Sequence, residues 1–268
     1  MISKEALLQE LRKRGYSANY QTVVKNGDVE LEAITITDQS NIAPTIYIEQ
    51  ILKMDSLDEA VETVLNIYRN RPPFSVDLEL LTDKEFIYQT VRIGIQKLSN
   101  QDGIKRPTEY DDIEQYLYFG EDGWSIRLTN DIMQKANINS LSKLWTKAEH
   151  NTFQHTTIKS MTEIMQTMLG DDFPDDIGEM DLNMYVITND CGVKGASAIL
   201  DKDFLAGFAR KHKWNKIAIL PSSIHEAILI PVSEEISINY LDDMVQEVNL
   251  TQVAPEDRLI DHAIIVNF

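Results

Sequence analysis

Residues 216–232 read KIAILPSSIHEAILIPV, two short apolar runs on either side of a polar stretch. The runs at 217–220 and 227–230 are rich in Ile and Leu and too short to stand as helices, so they read as strands buried in a sheet and joined by a tight connection. The connection between them is thereby held by a rigid frame. The same frame mounts Ser222, Ser223, His225 and Glu226 on one turn.

The elements before and after this pair alternate in character. Ser3 caps a first helix whose Ala6, Leu7, Leu8 and Leu11 share a face, and Gly15 stops it. The period then changes to two over 21–25 and 29–37. These runs flank Asn26-Gly27, where a type I′ turn with both residues at positive φ is predicted. A third run at 45–48 follows Pro44, and Ser56 opens a helix to about Asn70 that Pro72-Pro73 ends.

Residues 82–98 are ambiguous: Thr82 to Glu85 resembles a capping box, yet Gly94 argues against a continuous helix and Ile93 and Ile95 suit a strand. A second hairpin is predicted from 113–119 and 124–128, followed by helices opening at Thr129, Ser140 and Ser160. A strand over 184–188 leads into NDCGVKGA at 189–196, then a mostly helical stretch to Lys213 broken near Leu200-Asp201. After the strand pair come a helix over 238–248 and a last strand over 263–268. Hairpins separated by helices predict an α+β fold with two subdomains, 1–100 and 108–268. The polar segment 100–108 lies between them. The second subdomain is expected to hold a mixed or antiparallel sheet packed with helices.

Charge is uneven along the chain. Residues 1–100 carry 11 basic and 15 acidic side chains, residues 101–268 carry 14 and 28, and the total is -18. No Lys or Arg occurs in 160–193 or in 217–257. Such a surface repels phosphates, which disfavours direct nucleic-acid binding, and attracts basic partners. The tract DDFPDDIGEMD at 171–181 cannot be buried without cations beside it, so Asp171, Asp172, Asp175, Asp176 and Glu179 are the candidate partner-binding residues of an exposed loop. No apolar run approaches the ~20 residues that cross a bilayer, and the N-terminus has no apolar signal core. The one cysteine, Cys191, permits no internal disulfide. A cytoplasmic location without membrane contact is expected.

Three constellations contain residue types used in catalysis or ligand binding. Ser223, His225 and Glu226 supply a hydroxyl, an imidazole and a carboxylate, as nucleophilic hydrolysis requires, but Glu226 should point away from the other two and no Gly-x-Ser-x-Gly elbow surrounds the serines. His150 and His155, with Glu149 before them, miss the i, i+4 spacing of a helical zinc pair, and no metal or other cofactor is expected. The NDCGVKGA loop lies between strand and helix, where phosphates are often cradled, yet it lacks both the P-loop and the dinucleotide spacing. Asn151, near the end of its helix, has the residue type of a helix stop and is the remaining catalytic candidate.

AEHNT at 148–152, MYVITN at 184–189, GASAIL at 195–200, LPSSIHE at 220–226 and NIAPTIY at 41–47 together resemble an uncharacterised domain-of-unknown-function family of Clostridia and related gut Firmicutes, often found in mobile elements. Residues 140–268 are more distantly similar to the YtpQ-like proteins of bacilli. The resemblance implies a bacterial or mobile-element origin and supplies no catalytic residues. The leading expectation is therefore a non-catalytic, acidic interaction protein that engages a basic protein partner, such as a nucleic-acid-binding host or defence protein that it would inhibit. The alternative is a small hydrolase using Ser223, His225 and Asn151, with Glu226 or an acidic-loop residue as the orienting carboxylate.

Overall fold

The structure, a computed structural model, describes residues 2–38, 43–71, 76–121, 123–170, 173, 183–232 and 236–268. The chain forms two compact units, Met1–Leu81 and Thr82–Phe268. No helix among the described residues is long and apolar enough to cross a membrane.

In the first unit, helix α1 (Lys4–Lys13) starts where the Ser3 hydroxyl accepts a hydrogen bond from the Ala6 amide, and it buries Leu7 and Leu11. Strands β1 (Ser17–Val24), β2 (Glu30–Thr37) and β3 (Thr45–Tyr47) follow in one antiparallel sheet in that order. Helix α2 (Leu57–Arg69) packs Ala60, Val61, Val64 and Leu65 into the core with Ile34, Ile36 and Ile46. The β1–β2 hairpin is present, but its turn is wider than a two-residue type I′ loop. The Lys25 amide bonds the Val29 carbonyl across a 3-10 turn, and the positive φ angles fall on Gly27 and Asp28 rather than on Asn26 and Gly27. Asn26 is instead buried.

In the second unit, α3 (Lys84–Thr90) is capped by Asp83, not Thr82, whose carboxylate accepts from the Phe86 amide at 2.7 Å. Strands β4 (Arg92–Lys97), β5 (Lys105–Pro107), β6 (Ile113–Glu121) and β7 (Trp124–Arg127) form an antiparallel sheet around β6. The strand reading of Ile93 and Ile95 therefore holds. Gly94 sits opposite Tyr116, and a Cβ there would lie 2.5 Å from the tyrosine ring, so the glycine makes room for an aromatic cross-strand neighbour. The division between units precedes α3, because β4 pairs with β6 across the polar 100–108 segment and ties that segment into the second unit.

Helices α4 (Asn130–Lys135) and α5 (Leu141–Phe153) lead to a second antiparallel sheet. Its strands are β8 (Thr156–Ser160), β9 (Tyr185–Asn189), β10 (Lys216–Leu220), β11 (Ala227–Pro231) and β12 (Ile264–Asn267), in the order β12-β10-β11-β9-β8. Among the described residues three further helices belong to the unit: α6 (Met161–Leu169), α7 (Lys202–His212) and α8 (Ile238–Thr251). A 3-10 segment, Gly195–Leu200, precedes α7, and Asp201 caps α7 at the predicted break.

Side-chain alternation in β10 explains why its run is uniformly apolar. Ile217 and Ile219 pack with Ile199, Leu205 and Ala209 from the 3-10 segment and α7, while Ala218 and Leu220 pack with Leu241 and Val245 of α8. Both faces of the central strands are covered. The fold is α+β.

Candidate functional site

The β10–β11 strands pair from Ile217–Pro231 to Leu220–Ile228, leaving the intervening turn to be fixed by other parts of the chain. Its backbone is pinned on two sides. The Ile224 amide bonds the Asp257 carbonyl at 2.8 Å, the Leu259 amide bonds the Ser222 carbonyl at 3.2 Å, and Ser223 and Arg258 form an isolated antiparallel bridge. On the other side, the Ala196 amide bonds the Ile224 carbonyl at 3.2 Å, and the Thr188 hydroxyl donates to the His225 carbonyl at 2.8 Å. Gly195 sits at the meeting point. A Cβ there would lie 2.6 Å from the Asn189 nitrogen and 2.7 Å from the His225 carbonyl oxygen, both backbone atoms that cannot swing aside.

His225 uses its side chain within this knot. Its Nδ1 accepts from the Lys194 amide at 3.2 Å, which puts the neutral ring's proton on Nε2, 3.4 Å from an Asp257 carboxylate oxygen. The Ser223 hydroxyl accepts from the backbone amide of His225 at 3.0 Å, a local turn-forming bond. Of the four residues singled out for hydrolysis, Ser223 and His225 are thus together. Glu226 is exposed, and the carboxylate beside the imidazole belongs to Asp257. Asp257 lies in a 3-10 turn, Pro255–Asp257, and nothing in its spacing from His225 points to the contact.

Asn151 has different partners. It is buried in α5, and its side-chain amide donates to the carbonyls of Tyr88, Gln89 and Val91 at 3.2, 3.1 and 2.9 Å. These are carbonyls that the end of α3 leaves without helical donors, so Asn151 satisfies another helix's C-terminus across space. The neighbouring Thr152 accepts from the Ile93 amide at 2.8 Å and donates to the Ala148 carbonyl. His155 pairs with Asp190 at 2.6 Å, and His150 is an exposed residue on α5. Among the described residues no group of His, Cys, Asp and Glu is arranged to hold a metal ion. Asp171, Asp172, Asp175, Asp176 and Glu179 lie outside the described residues.

A second feature lies at the sheet's β12 edge, where a groove of about 720 Å³ runs beside the strand and is walled by Glu109, Asp111, Lys202, Asp203, Leu205 and His262. Strand β12 pairs only with β10 among the described residues. The Phe268 amide bonds the Asn215 carbonyl, so by alternation Val266 and Ile264 direct their backbone groups toward β10, and Ile265 and Asn267 direct theirs to the open side. The Ala263 amide, which points the same way, is already met by the Asp242 carboxylate at 2.8 Å. Lys202 forms an ion pair with Glu109, while Asp111 and Asp203 are exposed and make no ion pair among the described residues.

Fold and surface together define an α+β protein with a hydrogen-bonded turn at the head of a five-stranded sheet and an open, acid-flanked strand at that sheet's edge. The chain belongs to a family of unknown function, DUF5688, whose model matches residues 3–265 and so runs through both compact units. Searches of curated proteins and of solved structures found no match.

Proposed function

We propose that the protein is a non-catalytic binding protein that captures an extended, basic segment of a protein partner along β12. Such a segment adds as a further strand, its main chain bonding the outward groups of Ile265 and Asn267 and its Lys or Arg side chains reaching Asp111 and Asp203. The observation that carries the reading is the coincidence of an unpaired strand edge with uncompensated carboxylates beside it. An exposed edge is a pairing hazard that proteins ordinarily block with cations or proline, and β12 has neither. The acidic residues Asp171, Asp172, Asp175, Asp176 and Glu179 would add long-range attraction to the same partner. The hydrolase alternative draws no support from Asn151, whose amide is occupied by three backbone carbonyls.

The test is fluorescence anisotropy with a labelled peptide alternating Lys with Val and a control alternating Glu with Val. The lysine peptide should bind, more weakly as salt rises, and the glutamate peptide should not. Ile265→Pro removes an outward amide that β10 does not use, together with a side chain that packs against α8, so it should weaken binding about tenfold in protein whose circular dichroism shows the sheet retained. Equal binding of the two peptides, or full binding by Ile265→Pro, would overturn the proposal.

A further inference from the structure

A cleft of about 390 Å³ opens on the second unit between the loop that follows β9 and the β6–β7 hairpin, within the size range of small-molecule sites. Its lining includes Arg92, Lys194, Tyr118, Trp124, Cys191 and Glu121. Among the described lining residues there are two cations, Arg92 and Lys194, and one carboxylate, Glu121.

Each part is held by an identifiable contact. Lys194 adopts a left-handed backbone, φ 55°, and its amide is fixed by His225 Nδ1. A non-glycine residue in that conformation is strained, and strain of this kind collects where a side chain must be aimed. The Lys194 ammonium lies 4.3 Å from the centre of the Tyr118 ring and 2.6 Å from the Ser125 hydroxyl. Burial pushes the Tyr118 phenol up to about 12, against the pull of Arg92. Arg92 makes no ion pair among the described residues. Trp124 is fixed by stacking on Phe86, with ring centres 5.9 Å apart, so it forms a preordered flat wall.

The backbone of the loop is not a phosphate cradle. The Lys194 amide is taken by His225, the Ala196 amide by the Ile224 carbonyl, and the Gly192 amide by the Asn189 carbonyl. Recognition must come from side chains, and a forked guanidinium beside an ammonium and an indole suits a carboxylate carried on a flat ring. We propose that this cleft binds a small planar organic anion, its carboxylate between Arg92 and Lys194 and its ring against Trp124.

Cys191 is exposed, lines the cleft and is the only cysteine in the chain, so it reports on occupancy. In the full-length protein, sodium benzoate should slow carboxamidomethylation of Cys191 by iodoacetamide saturably, and inorganic phosphate should protect less. The dianionic aromatic disulfide 5,5′-dithiobis(2-nitrobenzoate) should react with Cys191 faster than the neutral 4,4′-dithiodipyridine, relative to the same pair on N-acetylcysteine amide. Arg92→Gln should lower that ratio about fivefold and Lys194→Gln similarly, while Glu121→Gln, at the rim, should raise it. Because Glu121→Gln tests the field without touching the strained loop, a folding defect in Lys194→Gln does not remove the test. Linear rather than saturable protection, phosphate protecting as well as benzoate, or a ratio unmoved by both Arg92→Gln and Glu121→Gln would overturn the assignment.

Discussion

The two compact units make different use of their polar residues. In Met1–Leu81 the core is apolar, Asn26 is the single buried polar residue among those described, and the charged groups stay on the surface, where Arg14 reaches Glu10, Asp58 and Glu62, and Lys4 meets Tyr20 and Glu32. In Thr82–Phe268 polar side chains go inside. Gln96 is fully buried, accepting from Arg127 Nη2 at 2.6 Å and donating to Glu114 at 2.6 Å, while Asn151 and Thr152 bind backbone of α3 and β4. Exposed ion pairs add little stability because water and salt screen them, whereas a buried polar group is costly once its partner is lost. The first unit is therefore built to tolerate change at its polar positions. The second is built around specific buried polar contacts.

The sharpest way to break this contrast is Gly195→Ala. A methyl group cannot fit between the backbone of Asn189 and that of His225, so the substitution should cost the second unit about 3 kcal/mol or more. Hydrogen exchange on the full chain should show lost protection in β9 and β11 with β1 and β2 unchanged. Equal loss in both units would refute the division.

Asn151→Ala comes next, at about 2–3 kcal/mol, because it strips the donor from carbonyls of Tyr88, Gln89 and Val91. Urea denaturation measures it, and Arg14→Met in the first unit should leave the midpoint nearly where it was. A reversed order would mean that the surface pairs, not the buried ones, hold the protein together.

The smallest effect concerns pH. The Glu163 carboxylate accepts from the backbone and hydroxyl of Ser160 in a capping box, which holds its pKa below the ordinary 4.5. A depressed folded pKa contributes stability that is present above 4.5 and lost as pH falls through the lower folded value. In an NMR titration the Glu163 midpoint should lie below 4.5, and Ser160→Ala should move it up toward that value. An unchanged midpoint in Ser160→Ala would remove the hydroxyl as a cause and leave the Ser160 backbone amide, which the substitution keeps.

Much of the fold was legible because its signals are local. Ser3, Thr129, Ser140, Ser160 and Asp201 each precede the helix they cap, and the 217–220 and 227–230 runs are the buried strands they resemble. Strands β5 and β8 escaped notice: β5 is three residues ending in proline, and β8 follows directly on α5. The hairpin at Asn26-Gly27 was placed correctly while its turn was not, since Asn26 is drawn into a buried position by the tertiary structure. Candidate-site residues were harder. Ser223 and His225 are near in sequence and were visible, but Asp257 meets His225 only through the β-bridge of Ser223 with Arg258, and Asn151 answers to α3 through packing that spacing does not encode. The anion cleft joins β4, β6, β7 and the 191–194 loop, which no single stretch of sequence reveals.

The central claim is that β12 is an open edge that receives a basic strand. Amide hydrogen exchange at Ile265 and Asn267, followed by NMR with and without the Lys-Val peptide, addresses it most directly. Both amides should exchange fast in the free protein and slow at least tenfold with saturating peptide, while Ile264 and Val266, already bonded to β10, change little. Amides at Ile265 and Asn267 that are protected without peptide, or that stay fast with it, would contradict the account.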